Sequence, residues 1–106
     1  MLANCAPDGA LRIDVTMPAG GTRSDCIVVE ASGDVTERTE LAVTPGRTEG
    51  LTVAVMLDTQ SSGVLSASAR GHVGGCEGTL VEQSPSRGGE VRRLDFGIIS
   101  LRLEPV

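Results

Sequence analysis

Apolar residues that alternate with polar ones restrict the fold of this chain more than any other feature. From Leu11 to Met17 every second residue is apolar, and the residues between them are charged or carry a hydroxyl group. In segment 51–57 Leu and Val residues alternate with Thr52, Ala54 and Met56, and in segment 98–103 Ile99, Leu101 and Leu103 alternate with Ser100 and Arg102. A period of two residues is typical of a β-strand with one buried and one solvated face.

Turn-forming residues separate these segments at short intervals. Pro18 to Gly21 follow the first segment, Pro45-Gly46 precede the segment at 51, and a loop over 84–89 precedes the last ones. The continuous apolar run at 26–29 is typical of a strand buried on both faces. No window shows a sustained helical period.

Short strands with a turn every 8–12 residues predict an all-β fold, specifically a single immunoglobulin-like β-sandwich of about seven to eight short antiparallel strands. Residues 1–10 have no such period, and we expect them to form an N-terminal tail. The sandwich domain should then occupy residues 11–106.

Composition narrows the partners that this chain could have. The chain of 106 residues has a formal net charge of −5, which argues against nucleic acid and anionic lipid headgroups as partners. It has one Phe and neither Trp nor Tyr, so its core must consist of smaller aliphatic side chains. Each of these buries modest area, and a covalent cross-link would therefore matter more than usual.

Two of the three cysteines, Cys26 and Cys76, are predicted to form a disulfide. They are 50 residues apart, in an early and a late apolar segment, as in the bridge between the two sheets of an immunoglobulin-like sandwich. Closing such a loop stabilises a fold by about 4 kcal/mol on the chain-entropy model. The alternative is that both are buried free thiols.

The third cysteine, Cys5, is a candidate site of lipidation or tethering. Leu2-Ala3-Asn4-Cys5 resembles the end of a bacterial lipoprotein signal, although Asn4 departs from the small residue expected there. The alternatives are pairing with another cysteine, an intermolecular bridge, or a free thiol. We expect contact with a membrane only through such a lipid.

Cysteine usage also indicates a compartment. Disulfides persist in oxidising environments, so we expect the protein to be secreted, periplasmic or on the cell surface, with a signal removed upstream.

The remaining candidate sites are few. His72 is the single histidine, so a small hydrolase would depend on it, but an exposed loop histidine is the simpler interpretation. The glycine-rich segment Gly71–Gly78 is a candidate ligand- or carbohydrate-binding loop. A zinc site of His72, Cys76 and Cys26 lacks the usual paired spacing. We therefore expect no enzymatic activity, no cofactor and no metal.

The second half of the chain resembles small β-sandwich modules of myxobacterial-type surface lipoproteins. The resemblance rests on the segments 51–55 and 64–71, on Gly75-Cys76-Glu77-Gly78, on a Ser-Pro loop and on the strand 99–103. It implies an immunoglobulin-like or transthyretin-like fold in a secreted or surface setting, and it supplies no catalytic residues.

We therefore expect a non-enzymatic domain that acts in protein–protein contact, adhesion or assembly. Edge strands of a sandwich offer unpaired backbone groups to a partner strand or to a second copy. The candidate edge strands are the first, Leu11 to Met17, and the last, Ile98 to Leu103.

Overall fold

Nine β-strands make up the regular structure of the part of the chain that the computed structural model describes, residues 9–33, 36–57, 63–91 and 95–106. None of these residues forms a helix, so none forms one long and apolar enough to cross a membrane. The strands are β1 Gly9–Thr16, β2 Cys26–Ser32, β3 Thr36–Ala42, β4 Leu51–Leu57, β5 Gly63–Val73, β6 Thr79–Gln83, β7 Arg87–Val91, β8 Asp95–Arg102 and β9 Glu104–Pro105. The first strand thus begins two residues before the predicted domain boundary.

The strands form two sheets. One has three strands in the order β4-β1-β8, and the other has the order β3-β2-β5-β6-β9, with β7 also paired to β5. The predicted all-β sandwich is confirmed, with nine strands where seven or eight were expected. Among the described strands one pair, β1 with β8, is parallel, and the others are antiparallel.

The strand order differs from that of an immunoglobulin constant domain. There the first two strands are neighbours in one sheet. Here β1 and β2 lie in different sheets, joined by the connection 17–25. That connection crosses from one sheet to the other, and part of it, including Thr22 and Ser24, is buried.

The alternation seen in the sequence becomes the core. Alternate residues of β1, beginning at Leu11, face the opposite sheet and are at most 1% exposed. In β2 both faces are buried, as predicted, since Cys26 and Val28 are as inaccessible as Ile27 and Val29. The core residues are Leu11, Ile13, Val15, Met17, Ile27, Val29, Ala31, Val53, Val55, Ala67, Ala69, Ile99, Leu101 and Leu103.

Strands β6 and β7 follow one another along the same side of β5. Between them Ser84 continues the pairing, because its amide donates to the Ala69 carbonyl at 2.9 Å and its hydroxyl accepts from the Ala69 amide at 2.9 Å. The predicted loop over 84–89 is therefore shorter than expected, since β7 begins at Arg87.

One of the two predicted edge strands is not an edge. The first strand lies in the centre of its sheet between β4 and β8, so that prediction is wrong. Within the described residues the edges of the three-stranded sheet are β4 and β8. The other predicted edge, Ile98 to Leu103, corresponds to β8 and is an edge, as expected. Strand β4 is an edge that the sequence did not indicate.

Candidate functional site

The turn between β5 and β6 (residues 74–78, here the β5–β6 turn) is attached to the start of β2 by two cysteines. Cys26 lies opposite His72 of β5, and its Cα is 5.1 Å from that of Cys76 in the turn, within the range of disulfides. The two are joined, as predicted. The predicted position between two sheets is wrong, because β2 and β5 are neighbours in one sheet.

A carboxylate next to this disulfide holds the same turn. Asp25 accepts hydrogen bonds from the amides of Gly74 at 2.9 Å and Gly75 at 3.0 Å. Both glycines have left-handed backbone conformations, with φ of +88° and +93°. Successive amides in such a turn form a concavity that binds anions, and here the side chain of Asp25 fills it. The bonds from Gly74 and then Gly75 lower the pKa of Asp25.

His72, on β5, contacts the last residue of the β5–β6 turn. Its Nδ1 lies 3.1 Å from the carbonyl oxygen of Gly78, and its own carbonyl accepts from the amide of Asp25 at 2.9 Å. Because a carbonyl can only accept, Nδ1 carries the proton in this contact. The ring is half-buried and takes part in the closure of the turn.

Several polar groups of the glycine-rich segment, and its cysteine, are therefore already bonded within the protein. The amides of Gly74 and Gly75 bind Asp25, His72 bonds to Gly78, and Cys76 bonds to Cys26. The two sulfurs considered as zinc ligands are joined to each other. Among the described residues no group of three or more His, Cys, Asp or Glu side chains is arranged to hold a metal ion.

A fully buried carboxylate lies on β6, the strand that follows the turn held by this disulfide. Glu82 of β6 is 0% exposed, and its Oε1 accepts from the hydroxyls of Thr22 at 2.5 Å and Ser24 at 2.7 Å. Its Oε2 accepts from the amide of Arg23 at 3.0 Å. Burial by itself raises the pKa of Glu82, but the bonds from Thr22, Ser24 and Arg23 outweigh burial and lower it. The carboxylate is therefore ionised at neutral pH.

This carboxylate attaches the connection 17–25 to the larger sheet. Its three donors are consecutive residues of that connection, and Gly71 on β5 provides the space in which they meet, because a Cβ there would overlap the hydroxyl of Ser24. Since Glu82 has no accessible surface, it cannot reach a substrate. Its role is to fix the path of the chain between the two sheets.

Sequence reasoning missed both carboxylates. Glu82 lies on β6, which has β5 on one side and β9 on the other. Asp25 lies at the end of the connection 17–25, directly after the fully buried Ser24. The sequence contained a signal for Asp25 only: an acidic residue directly before one cysteine, and two adjacent glycines directly before the other. Cys5 lies outside the described residues.

The sheet edges are the remaining candidate functional surfaces. The edge strand β3 carries Glu37, Arg38 and Glu40, which are exposed, and edge charges of this kind discourage strand addition. The edge strand β8 exposes Ile98, of which 63% is accessible. The edge strand β4 contains no charged residue.

No family model, no curated protein and no solved structure matches the chain. The function of this chain must therefore be inferred from its fold class, from the geometry around the disulfide and from the sheet edges.

Proposed function

We propose that this chain is a non-enzymatic, secreted or cell-surface β-sandwich domain that acts in protein–protein contact, adhesion or assembly. The observation that carries the proposal is Ile98, a large apolar side chain that is 63% exposed on the edge strand β8. An edge strand offers hydrogen-bonding groups to an added strand, and an exposed apolar side chain on it offers contact area.

The backbone of β8 supports strand addition. The amide of Leu103 donates to the carbonyl of Thr16, so the backbone groups of Leu103 point toward β1. Backbone groups alternate in direction along a strand. Those of Ile98, Ser100 and Arg102 therefore point away from β1, toward an edge that pairs with no other described strand.

The disulfide supports the proposed location outside the cytoplasm. Cys26 and Cys76 are joined, and structural disulfides persist in oxidising compartments. A lipid on Cys5 would add attachment to a membrane. Intact mass before and after reduction, on material expressed with its native upstream region, tests this part: it shows the bridge and any lipid directly.

The two alternative functions have less support. A ligand or carbohydrate site in the segment Gly71–Gly78 would need groups that Asp25 and Gly78 already engage. A hydrolase dependent on His72 would use Nε2 as its base, because Nδ1 donates to the carbonyl of Gly78, and among the described residues no hydrogen bond joins Nε2 to a nucleophilic side chain.

Site-specific photo-crosslinking tests the proposed contact. A benzophenone amino acid replaces Ile98 in one variant and Glu77, on the β5–β6 turn, in the control. On cells or envelope fractions of the source organism, we expect a protein adduct from position 98 only. The additional change Ser100→Pro removes an outward amide and should abolish it. The proposal is wrong if neither position gives an adduct, or if both give the same one.

A further inference from the structure

Within the described residues, the edge strand β4 is unusual because nothing along it opposes pairing with another strand. Its seven residues, Leu51 to Leu57, include no charge, no proline and no glycine. Natural sheets normally protect an edge of this length with charges, prolines or bulges. The edge of the larger sheet follows that rule, since β3 exposes three charged side chains.

The direction of the backbone groups of β4 follows from its neighbours. The carbonyl of Thr16 accepts a hydrogen bond from the amide of Leu103, the residue directly after β8. The backbone groups of Thr16 and of every second residue before it therefore point toward β8, and those of the residues between them, such as Ile13, point toward β4. Ile13 lies opposite Val53. Val53 therefore bonds to β1, and the backbone groups of Thr52, Ala54 and Met56 point outward, away from the sheet.

The core reaches the surface beside this strand. Leu41 of β3, Val43 and Leu51 of β4 are only partly buried, although all three pack against the core. The connection 43–50 passes between them, from the edge of the larger sheet to the edge of the smaller one. A strand added to β4 would thus cover an apolar seam as well as the outward backbone groups.

We propose that β4 is the dimerisation strand of this protein and that its occupant is β4 of a second copy, antiparallel about a two-fold axis at Ala54. This rests on, and makes specific, the proposed function in protein contact. Ala54 then opposes Ala54 of the second copy, and Thr52 opposes Met56. These residues carry the outward backbone groups, so each of the three opposed pairs forms two hydrogen bonds, about six in all.

This register also matches the faces of the two sheets. Val53 opposes Val55 of the second copy, and both valines are buried on the core face of their own sheet. The three-stranded sheets join into one of six strands, and the two-fold axis closes the assembly at a dimer.

The charge distribution favours a second copy as the occupant in spite of the net charge of −5. No charged residue lies on β4, so none opposes another across the two-fold axis. The nearest charges on the adjacent strand, Arg12 and Asp14, are paired with each other at 2.9 Å in each copy. Along the paired strands themselves, therefore, no like charges oppose each other.

Sedimentation velocity of the full chain from about 10 μM to about 1 mM tests this proposal, because that range covers the weak affinities expected of a single strand pair. We expect a monomer–dimer equilibrium that stops at the dimer. A monomer throughout the range overturns the proposal, and so does growth into larger species, because the two-fold register closes.

A charge at the axis tests the register itself. Ala54→Lys places two like charges directly opposite each other, which destabilises a strand pair, and we expect the dimer to weaken by about tenfold or more. The matched control Ser100→Lys adds the same charge at an exposed position on the other edge and should leave the dimer unchanged. An Ala54→Lys protein that dimerises as well as the unaltered protein overturns the register.

Mixing two variants separates loss of contact from loss of fold. Ala54→Glu should dissociate like Ala54→Lys, and an equimolar mixture of the two should restore a mixed dimer, because opposite charges then meet at the axis. No recovery in the mixture overturns the proposal. A monomeric protein that still gives the adduct from position 98 refutes this dimer alone, whereas a dimer without that adduct refutes the proposed contact through β8 alone.

Discussion

The hydroxyl of Ser24 lies where a side chain at Gly71 would have to be. A Cβ built on Gly71 overlaps that hydroxyl and comes within 3.1 Å of the Glu82 carboxylate. The register of β5 with β6 shifts between Gly71 and His72, at the same point. Gly71 is therefore required by the close approach of three segments of the chain, and not by its own backbone conformation.

Replacing Gly71 with Ala should lower the free energy of unfolding by about 1–3 kcal/mol, the usual cost of overpacking. Urea unfolding measures the change. The control Gly46→Ala has open space around its added Cβ and incurs only the cost of a left-handed backbone, about 1 kcal/mol. In the Ser24→Ala background the penalty of Gly71→Ala should be smaller, and equal penalties in both backgrounds would show that the overlap is not its cause.

Glu82→Gln should destabilise the protein at neutral pH by about 1.5–3 kcal/mol, because the charged acceptor of three hydrogen bonds is lost. The pKa of Glu82 is lower in the folded chain than its ordinary value of 4.5. Its contribution is therefore complete above that value and disappears as the pH falls through the folded pKa.

Urea unfolding of both proteins between pH 7 and pH 3 checks this prediction. The difference in unfolding free energy between the unaltered protein and Glu82→Gln should shrink in the acidic part of the range. A difference that stays constant down to pH 3 would mean that folding does not lower the pKa of Glu82. Glu77→Gln, on an exposed turn residue, is the matched control and should have little effect at any pH.

Removing the Cys26–Cys76 disulfide should lower the free energy of unfolding by about 4 kcal/mol, the chain-entropy value for a loop of this length. The double variant Cys26→Ala/Cys76→Ala, measured by thermal or urea unfolding, is compared with Cys5→Ser. Reduction should add the mass of two hydrogen atoms to the Cys5→Ser protein. If that mass does not change, Cys26 and Cys76 are not bridged in solution.

Asp25→Asn should loosen the β5–β6 turn while leaving the disulfide intact. The amides of Gly74 and Gly75 lose a charged acceptor, so their proton resonances should move upfield and their hydrogen exchange should accelerate. In the unaltered protein the same two resonances should titrate below the ordinary carboxyl pKa of 3.8, because these bonds lower the pKa of Asp25. Resonances that do not respond to acid would place Asp25 elsewhere.

Much of the sandwich could be predicted because one physical rule governs a long stretch of sequence. A strand with one buried face must alternate, so the inward residues of β1, β4 and β8 could be read directly. The continuous run 26–29 likewise identified a strand buried on both faces. Each of these strands could be recognised by itself, without knowledge of which strands pair.

Pairing was harder to predict because it depends on residues distant in sequence. Nothing in the alternation of 11–17 distinguishes a central strand from an edge, so β1 was misplaced. The disulfide was assigned to two sheets because spacing alone does not reveal that β2 and β5 are neighbours. Glu82 gave no signal at all, since its burial depends on three donors about 60 residues earlier.

The parallel pairing of β1 and β8 has a mechanical consequence. Eight residues of β1 lie beside eight of β8, from Gly9 next to Asp95 to Thr16 next to Arg102. The first residue of β1 and the last residue of β8 therefore lie at opposite ends of the pair. A pulling force applied between those two points acts along the strands, and it loads the hydrogen bonds between them together in shear. A domain built this way resists tension far better than one whose terminal strands are pulled apart one bond at a time.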